Sequence, residues 1–325
     1  MPASVGGLMV FDAAAVRAAL SPEVARGIVR EAMIALSDGR VRQELRSFIG
    51  LGEGRTFAIM PAALGERAAF GAKLVSVFAD GQGHKSHEGV VILFDGESGA
   101  PVCMVDAGEV TAIRTPAASA AATDGLARND ADSLAVLGVG RQALGHIVAI
   151  AQVRELTSVA VWGRDPARTA AFAQEAALET GLNVRAAEGA EAAVAGAAIV
   201  CTVTAAADPI LSGAWISPGT HVNLVGASGP AQAEADADLV ARARFIVDHR
   251  PHVLAHGGEF LRAKAAGVVG DGHIAAEIGE VFAGIAPGRT SAEQITVYKS
   301  LGHAVQDLAV AAWLYAQTMK DTDVQ

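Results

Sequence analysis

The sequence predicts an α/β protein in two parts, a parallel sheet covered by helices and a smaller α+β domain, on three observations. From residue 133 onward, short apolar runs alternate with helical segments: strand 133–137, helix 141–154, strand 158–162, helix 166–179, then strands 198–203, 220–225 and 245–248. That is the rhythm of βαβ units, which build parallel sheets. Between residues 40 and 108 the β-like runs are instead joined by turns, as in an antiparallel sheet. The last apolar stretch, Gly302 to Tyr315, has helical spacing and is expected to pack back on the first part. These patterns divide the chain into one domain over residues 1–120, completed by 303–325, and a parallel-sheet domain over 121–302.

Composition sets the class. A chain of 325 residues with 51% apolar and 18% charged residues has ample material for buried cores and reads as globular. Its formal net charge of −10 argues against a nucleic-acid surface. Cys103 and Cys201 stand far apart in apolar segments and read as small core residues of a reducing compartment. The N-terminus carries no basic stretch followed by an apolar core, and no apolar run reaches the roughly 20 residues of a membrane span. A cytoplasmic protein without membrane contact is expected.

Each element has its own signal. Residues 11–39 place Ala, Val, Ile and Leu at helical spacing, and Ser21-Pro22-Glu23 supplies an N-cap with Pro in the first turn. Thr56–Met60 and Phe70–Phe78 read as strands, and Gly89–Phe94 and Pro101–Val105, around the turn Asp95–Gly99, read as a hairpin. Thr111 to Ala127 is helical. Strand 133–137 then runs into Gly138-x-Gly140-x-x-Ala143 and a helix, which is the dinucleotide-binding fingerprint. Gly138 permits the tight turn, Gly140 lets the backbone approach a pyrophosphate at the helix N-terminus, and Ala143 allows close helix–strand packing. The parallel-sheet domain is therefore of Rossmann type. Val139, Arg141 and Gln142 fill the same loop, and Thr202 and Val225 close two later strands, so all five are cofactor-binding candidates.

The second strand of this unit runs into Gly163-Arg164-Asp165-Pro166. An acidic residue here accepts hydrogen bonds from a ribose 2′-hydroxyl, whereas an Arg accommodates a 2′-phosphate. Asp before Pro is also an ordinary N-cap, so Arg164, with Arg168 one turn on, tilts the reading toward NADP(H), with NAD(H) as the alternative.

The substrate end must come from elsewhere. Lys73 is an isolated charge in an apolar strand, where it needs a partner or an aqueous cleft, or lies on an edge strand and reaches solvent. Arg114, placed near a helix start, would bind an anion together with the first-turn N–H groups. With Arg46 these cations suit a carboxylate substrate. His249, His252 and His256 could share a helix face, and His84 and His87 are three apart, but neither set has metal-ligand spacing, so no metal is expected. Asp248 and Pro251 look like a capped helix start. Gly-x-Ser-x-Gly is absent, which leaves a nucleophile-elbow hydrolase without support.

Taken together, Met60-Pro-Ala, Lys73-Leu-Val, Ser86–Asp95, Val110–Ala118, Leu137–Gln142, Pro218–Ala227, Glu277–Val281 and Val297–Gly302 resemble the ornithine cyclodeaminase/mu-crystallin family from about Arg46 to Tyr315. The resemblance implies that the domain over 1–120 and 303–325 binds substrate and dimerises. It also implies an active-site role for Lys73 and carboxylate binding by Arg46 and Arg114, with Arg46 the loosest match. The family's cyclodeaminases carry an acidic residue after Gly-(Gly/Ala), whereas this chain has Gly226-Ala227-Ser228, as in the mu-crystallin-like ketimine reductases. A serine hydroxyl is not a carboxylate base, so proton transfer during deamination loses its expected group. The implied function is NAD(P)H-dependent reduction of a small imino acid by a homodimer, with Lys73, Arg114 and Ser228 at the reacting centre. The alternatives are an ornithine cyclodeaminase, an amino-acid dehydrogenase of the same family, and a cofactor-binding protein without turnover.

Overall fold

The structure is a computed structural model that describes residues 3–5, 7–53, 55–79 and 85–323; His84 and the side chain of His87 lie outside the described residues. The chain begins with strands β1 (Ala3–Val5) and β2 (Leu8–Phe11), helices α1 (Ala13–Ala19) and α2 (Pro22–Ser37), and strands β3 (Arg42–Gln43), β4 (Ser47–Gly52), β5 (Arg55–Ala63), β6 (Phe70–Ala79), β7 (Lys85–Phe94) and β8 (Pro101–Asp106). After α3 (Ala107–Leu126) come β9 (Ser133–Leu137), α4 (Arg141–Ala151), β10 (Ser158–Trp162), α5 (Pro166–Thr180), β11 (Val184–Ala186), α6 (Ala190–Val194), β12 (Ile199–Thr202) and β13 (His221–Leu224). The remainder is α7 (Ala237–Arg242), β14 (Arg244–Val247), α8 (Arg250–His256), α9 (Gly258–Ala265), β15 (Ile274–Glu277), α10 (Ile278–Phe282), β16 (Thr296–Lys299) and α11 (Ala304–Asp323). Two compact units result, Met1–Thr115 with His303–Gln325, and Pro116–Gly302.

In the first unit, β5 to β8 form an antiparallel ladder, β2 lies parallel to β8 on one side, and β3 and β4 both pair with β5 on the other. α11 packs across β5 to β8 and against α2. The helical spacing of residues 11–39 resolves into two helices. Extended Leu20 ends α1, and Ser21 restarts the chain as the N-cap of α2, its side chain accepting from Val24 N at 3.2 Å. Such a cap is worth about 1 kcal/mol.

The second unit is an eight-stranded sheet in the order β11-β10-β9-β12-β13-β16-β14-β15. Its strand pairs are parallel. Strand alternation sends Ala135 and Leu137 of β9 into the core on one face, with Phe245, Phe260 and Val297. Leu134 and Val136 enter the core on the other face, with Ile147 and Phe172. A sheet buried on both faces explains why these strands read as unbroken apolar runs. The order reverses between β9 and β12, which is where such sheets bind ligands beyond their carboxyl ends. One expectation is corrected here. Asp248 does not cap α8, whose N-cap position is His249; its buried carboxylate instead accepts the amides of Leu301 and Gly302, at 2.5 and 3.0 Å. No helix among the described residues is long and apolar enough to cross a membrane.

Candidate functional site

In the first unit, Lys73 sits in the middle of the ladder, paired with Met60 of β5 and Val91 of β7, so the edge-strand reading does not apply. Its side chain points to the buried face, and only 4% of the residue is exposed. There Nζ donates to Thr111 Oγ1 and, at 3.0 Å, to Asp307 Oδ1 of α11. Thr111 in turn donates to the carbonyl of Ala107. The same Asp307 oxygen accepts from Arg114 Nε at 3.1 Å, while Arg114 Nη1 donates to Gln306 Oε1 at 3.0 Å. Asp307 is fully buried, and its Oδ2 has no hydrogen-bond partner among the described residues.

Burial lowers the proton affinity of Lys73 to a pKa of about 8; the Asp307 carboxylate opposes this, and the Arg114 and Arg46 guanidiniums add to it. Arg46, half-buried between β3 and β4, is thereby tied electrostatically to the cluster. Burial pushes the Asp307 carboxyl up, but Arg114 and Lys73 outweigh it and hold the group below the usual carboxylate range. Lys73 and Arg114 thus share one buried carboxylate and Arg46 adds its charge near Lys73, an excess of positive charge that fits a carboxylate ligand.

Arg114 does not stand at a helix start. α3 begins at Ala107, where the Asp106 side chain accepts from Glu109 N at 2.6 Å, so Arg114 lies about two turns in, away from the first-turn N–H groups. Any anion at Arg114 is held by the guanidinium.

In the second unit, Gly138 has φ +130°, and a Cβ there would lie 2.8 Å from Val203 Cγ2 and 2.9 Å from Val203 O, so only glycine fits. Gly140 is different: a Cβ on it would meet no described atom within 4 Å. Gly140 is also the N-cap of α4, with no side-chain cap among the described residues. The open space there leaves room for a phosphate against the first turn of α4, at Arg141 and Gln142. Ala143 is fully buried against the sheet, and Val139 packs on the same core. The residues present fit a dinucleotide.

Arg164 and Arg168 are exposed just past β10, and the Asp165 side chain accepts from Arg168 N at 3.1 Å as the N-cap of α5. Thr202 is fully buried at the end of β12, and its hydroxyl donates to Glu234 Oε2 at 2.7 Å. Val225 and Ser228 are half-buried in the loop after β13. His249 and His252 bond to each other at 2.7 Å between their Nδ1 atoms, and no group of three potential metal ligands converges among the described residues. Burial pushes both thiols, Cys103 and Cys201, up to about 12, which leaves them inert.

Sequence reasoning missed Asp307, Gln306, Thr111, Glu234, Glu259 and Lys299. Asp307 and Lys299 carried the signal that singled out Lys73, a charge isolated among apolar neighbours, in α11 and β16 respectively.

The profile of the ornithine cyclodeaminase/mu-crystallin family matches residues 8–322. The chain is 37% identical over 284 residues to ketimine reductase mu-crystallin of Mus musculus, covering 86% of each chain. It superposes on Thermococcus litoralis Delta(1)-pyrroline-2-carboxylate reductase in complex with NADH and L-proline at a TM-score of 0.92, with 30% identity, over 96% of this chain and 98% of that one. An archaeal alanine dehydrogenase dimer with bound NAD gives a TM-score of 0.90 at 28% identity, over 97% of both chains.

Proposed function

The chain belongs to the ornithine cyclodeaminase/mu-crystallin family, and from that premise we propose that it is an NAD(P)H-dependent reductase of small imino acids, with a cyclic ketimine carboxylate as substrate and the amino acid as product. The buried cluster of Lys73, Arg114 and Asp307 carries this reading. When bound, a reduced nicotinamide supplies hydride for the imine carbon, and the balance is one proton at the nitrogen. Lys73 is the group that holds that proton: an amine with a pKa of about 8 is mostly protonated at neutral pH yet releases its proton readily. Arg114 keeps Nε and Nη1 on Asp307 and Gln306, which fixes the guanidinium plane for a carboxylate, and Arg46 supplies the second cation. On the cofactor side, Gly138, Gly140 and the first turn of α4 would hold the pyrophosphate.

NADPH is the preferred cofactor on this reading, because the Asp165 carboxylate is engaged in capping α5 while Arg164 is exposed beside it. The protein is a homodimer, and the exposed apolar residues Leu45, Phe48, Ile49 and Leu51 on and beside β4 support an interface there. Light scattering during size-exclusion chromatography tests the dimer. The activity test is NADPH oxidation, followed at 340 nm, across cyclic and acyclic imino acids, beside ammonia and proline formation from ornithine with catalytic NAD. Imine-dependent oxidation is expected and proline formation is not, since residue 228 is a serine. The opposite pattern overturns the proposal in favour of a cyclodeaminase.

A further inference from the structure

Within the second unit a buried polar cluster is built around two carboxylates, Glu234 and Glu259, that lie outside the motifs the sequence offers. The Glu234 carboxylate, wholly inaccessible to solvent, accepts at 2.7 Å from Thr202 Oγ1, from Thr204 N and from Thr204 Oγ1. It also accepts from Gly226 N at 2.6 Å and Ala227 N at 3.3 Å. One side chain therefore binds the loop after β12 to the loop after β13. The two loops are pressed together at Gly226, where a Cβ would lie 2.1 Å from Thr204 O and 2.5 Å from Glu234 Oε1. A ring closes behind them. Glu234 N donates to Glu259 Oε1 at 3.1 Å, Glu259 pairs with Lys299 at 2.8 Å, and Lys299 Nζ donates to Ala227 O at 2.6 Å. The Ala227 N–H and C=O are both held, so the backbone leading into Ser228 is fixed from two sides.

Place in the sheet gives the ring its meaning. β9 carries the glycine loop, β10 and its arginines lie on one side of it, and β12 and β13 lie on the other. A dinucleotide laid across a sheet of this order puts its adenosine toward β10 and its nicotinamide toward β12 and β13. We propose that Glu234 is a positioning residue for the nicotinamide end of the cofactor site, acting through the loops at Thr204 and Gly226–Ser228 without touching the cofactor. The proposal rests on the dinucleotide-binding reading above. Burying a carboxylate is costly, and here it is offset by donors drawn from both loops, a use that packing alone does not require.

The experiment compares ligands with and without the nicotinamide. Calorimetric titration of the full chain and of Glu234→Gln measures affinity for NADPH, NADH, ADP-ribose and the 2′-phosphate of ADP-ribose. Glutamine turns an N–H2 toward amides that need an acceptor, so NADPH and NADH should bind about tenfold more weakly. ADP-ribose and its 2′-phosphate should stay within about twofold, since they occupy the β9 and β10 side. Thr202→Val, close to isosteric and lacking a single donor, should show the same selective loss at about threefold and serves if the Gln variant does not fold. Equal losses for both ligand classes, or no loss, overturn the proposal. Failure of the unmodified chain to bind any of these ligands overturns the cofactor reading itself, and the proposal with it.

Discussion

Replacing Asp307 by Asn removes the negative charge that faces Lys73, and the consequence is a displaced pH profile. Lys73 is met by Asp307 from α11, by Thr111 and Arg114 from α3, and by Arg46 from the β3–β4 connection, while its strand neighbours Met60 and Val91 are uncharged. At 3.0 Å and an effective dielectric constant of about 20, the lost attraction is about 5.5 kcal/mol. If relaxation and water entry recover half of it, about 2.7 kcal/mol remains, which is about two pKa units. Lys73 would then fall from about 8 to about 6. The reaction needs the protonated amine, so activity is present below the pKa and lost as pH rises through it. At pH 7.5 the protonated fraction drops from about three quarters to about 3%, a loss of about 25-fold that is regained on the acid side. Steady-state kcat/KM for imine reduction, measured from pH 5 to 9.5 on both proteins, reads this directly, and the substrate's own titration cancels in the ratio. An alkaline limb that stays near pH 8 in the Asn variant, with only a uniform drop in rate, refutes the assignment of Lys73 as the proton donor.

Three further outcomes are expected. Arg164→Ala should raise KM for NADPH about tenfold and leave NADH nearly unchanged; equal losses would remove Arg164 from the 2′-phosphate site. Arg114→Lys keeps the charge but loses the planar fork, so kcat/KM should fall at least about tenfold, and carboxylate-free cyclic imines should be poor substrates of the unmodified enzyme. The two glycines of the nucleotide loop should separate in their effects. Gly138→Ala meets Val203 and an unfavourable φ, so thermal unfolding should drop by about 5 °C, for a loss of about 2 kcal/mol. Gly140→Ala should leave unfolding unchanged and weaken dinucleotide binding, as measured by quenching of protein fluorescence.

Local information was enough for the central strands and the nucleotide loop of the parallel-sheet unit. β9, β10, β12 and β14 are buried on both faces, so each strand wrote itself as an apolar run, and the Gly138–Ala143 turn followed from steric rules that act within a few residues. Lys73 was legible for a related reason, since a cation among apolar neighbours must be explained by a partner or a ligand, whereas Arg114 was named from its place in a helix and Arg46 from the family resemblance. Elements with little periodicity of their own, such as β4, β11, β15 and the short helices α6, α7, α9 and α10, left no such trace. The start of α3 was misplaced because Ala107-Gly108 carries no cap signal, and the Asp106 carboxylate that satisfies the first turn belongs by its backbone to β8.

Partnership is what the linear chain withheld. Asp307 lies 234 residues from Lys73 and 193 from Arg114, yet one of its oxygens holds both. Glu234 joins two loops through donors 32, 30, 8 and 7 residues away. Residue type and spacing state that a buried charge needs a counterpart, because desolvation penalises it wherever it stands. Which counterpart it finds depends on which strands neighbour one another and which helix covers them, and that is decided only when the sheets close.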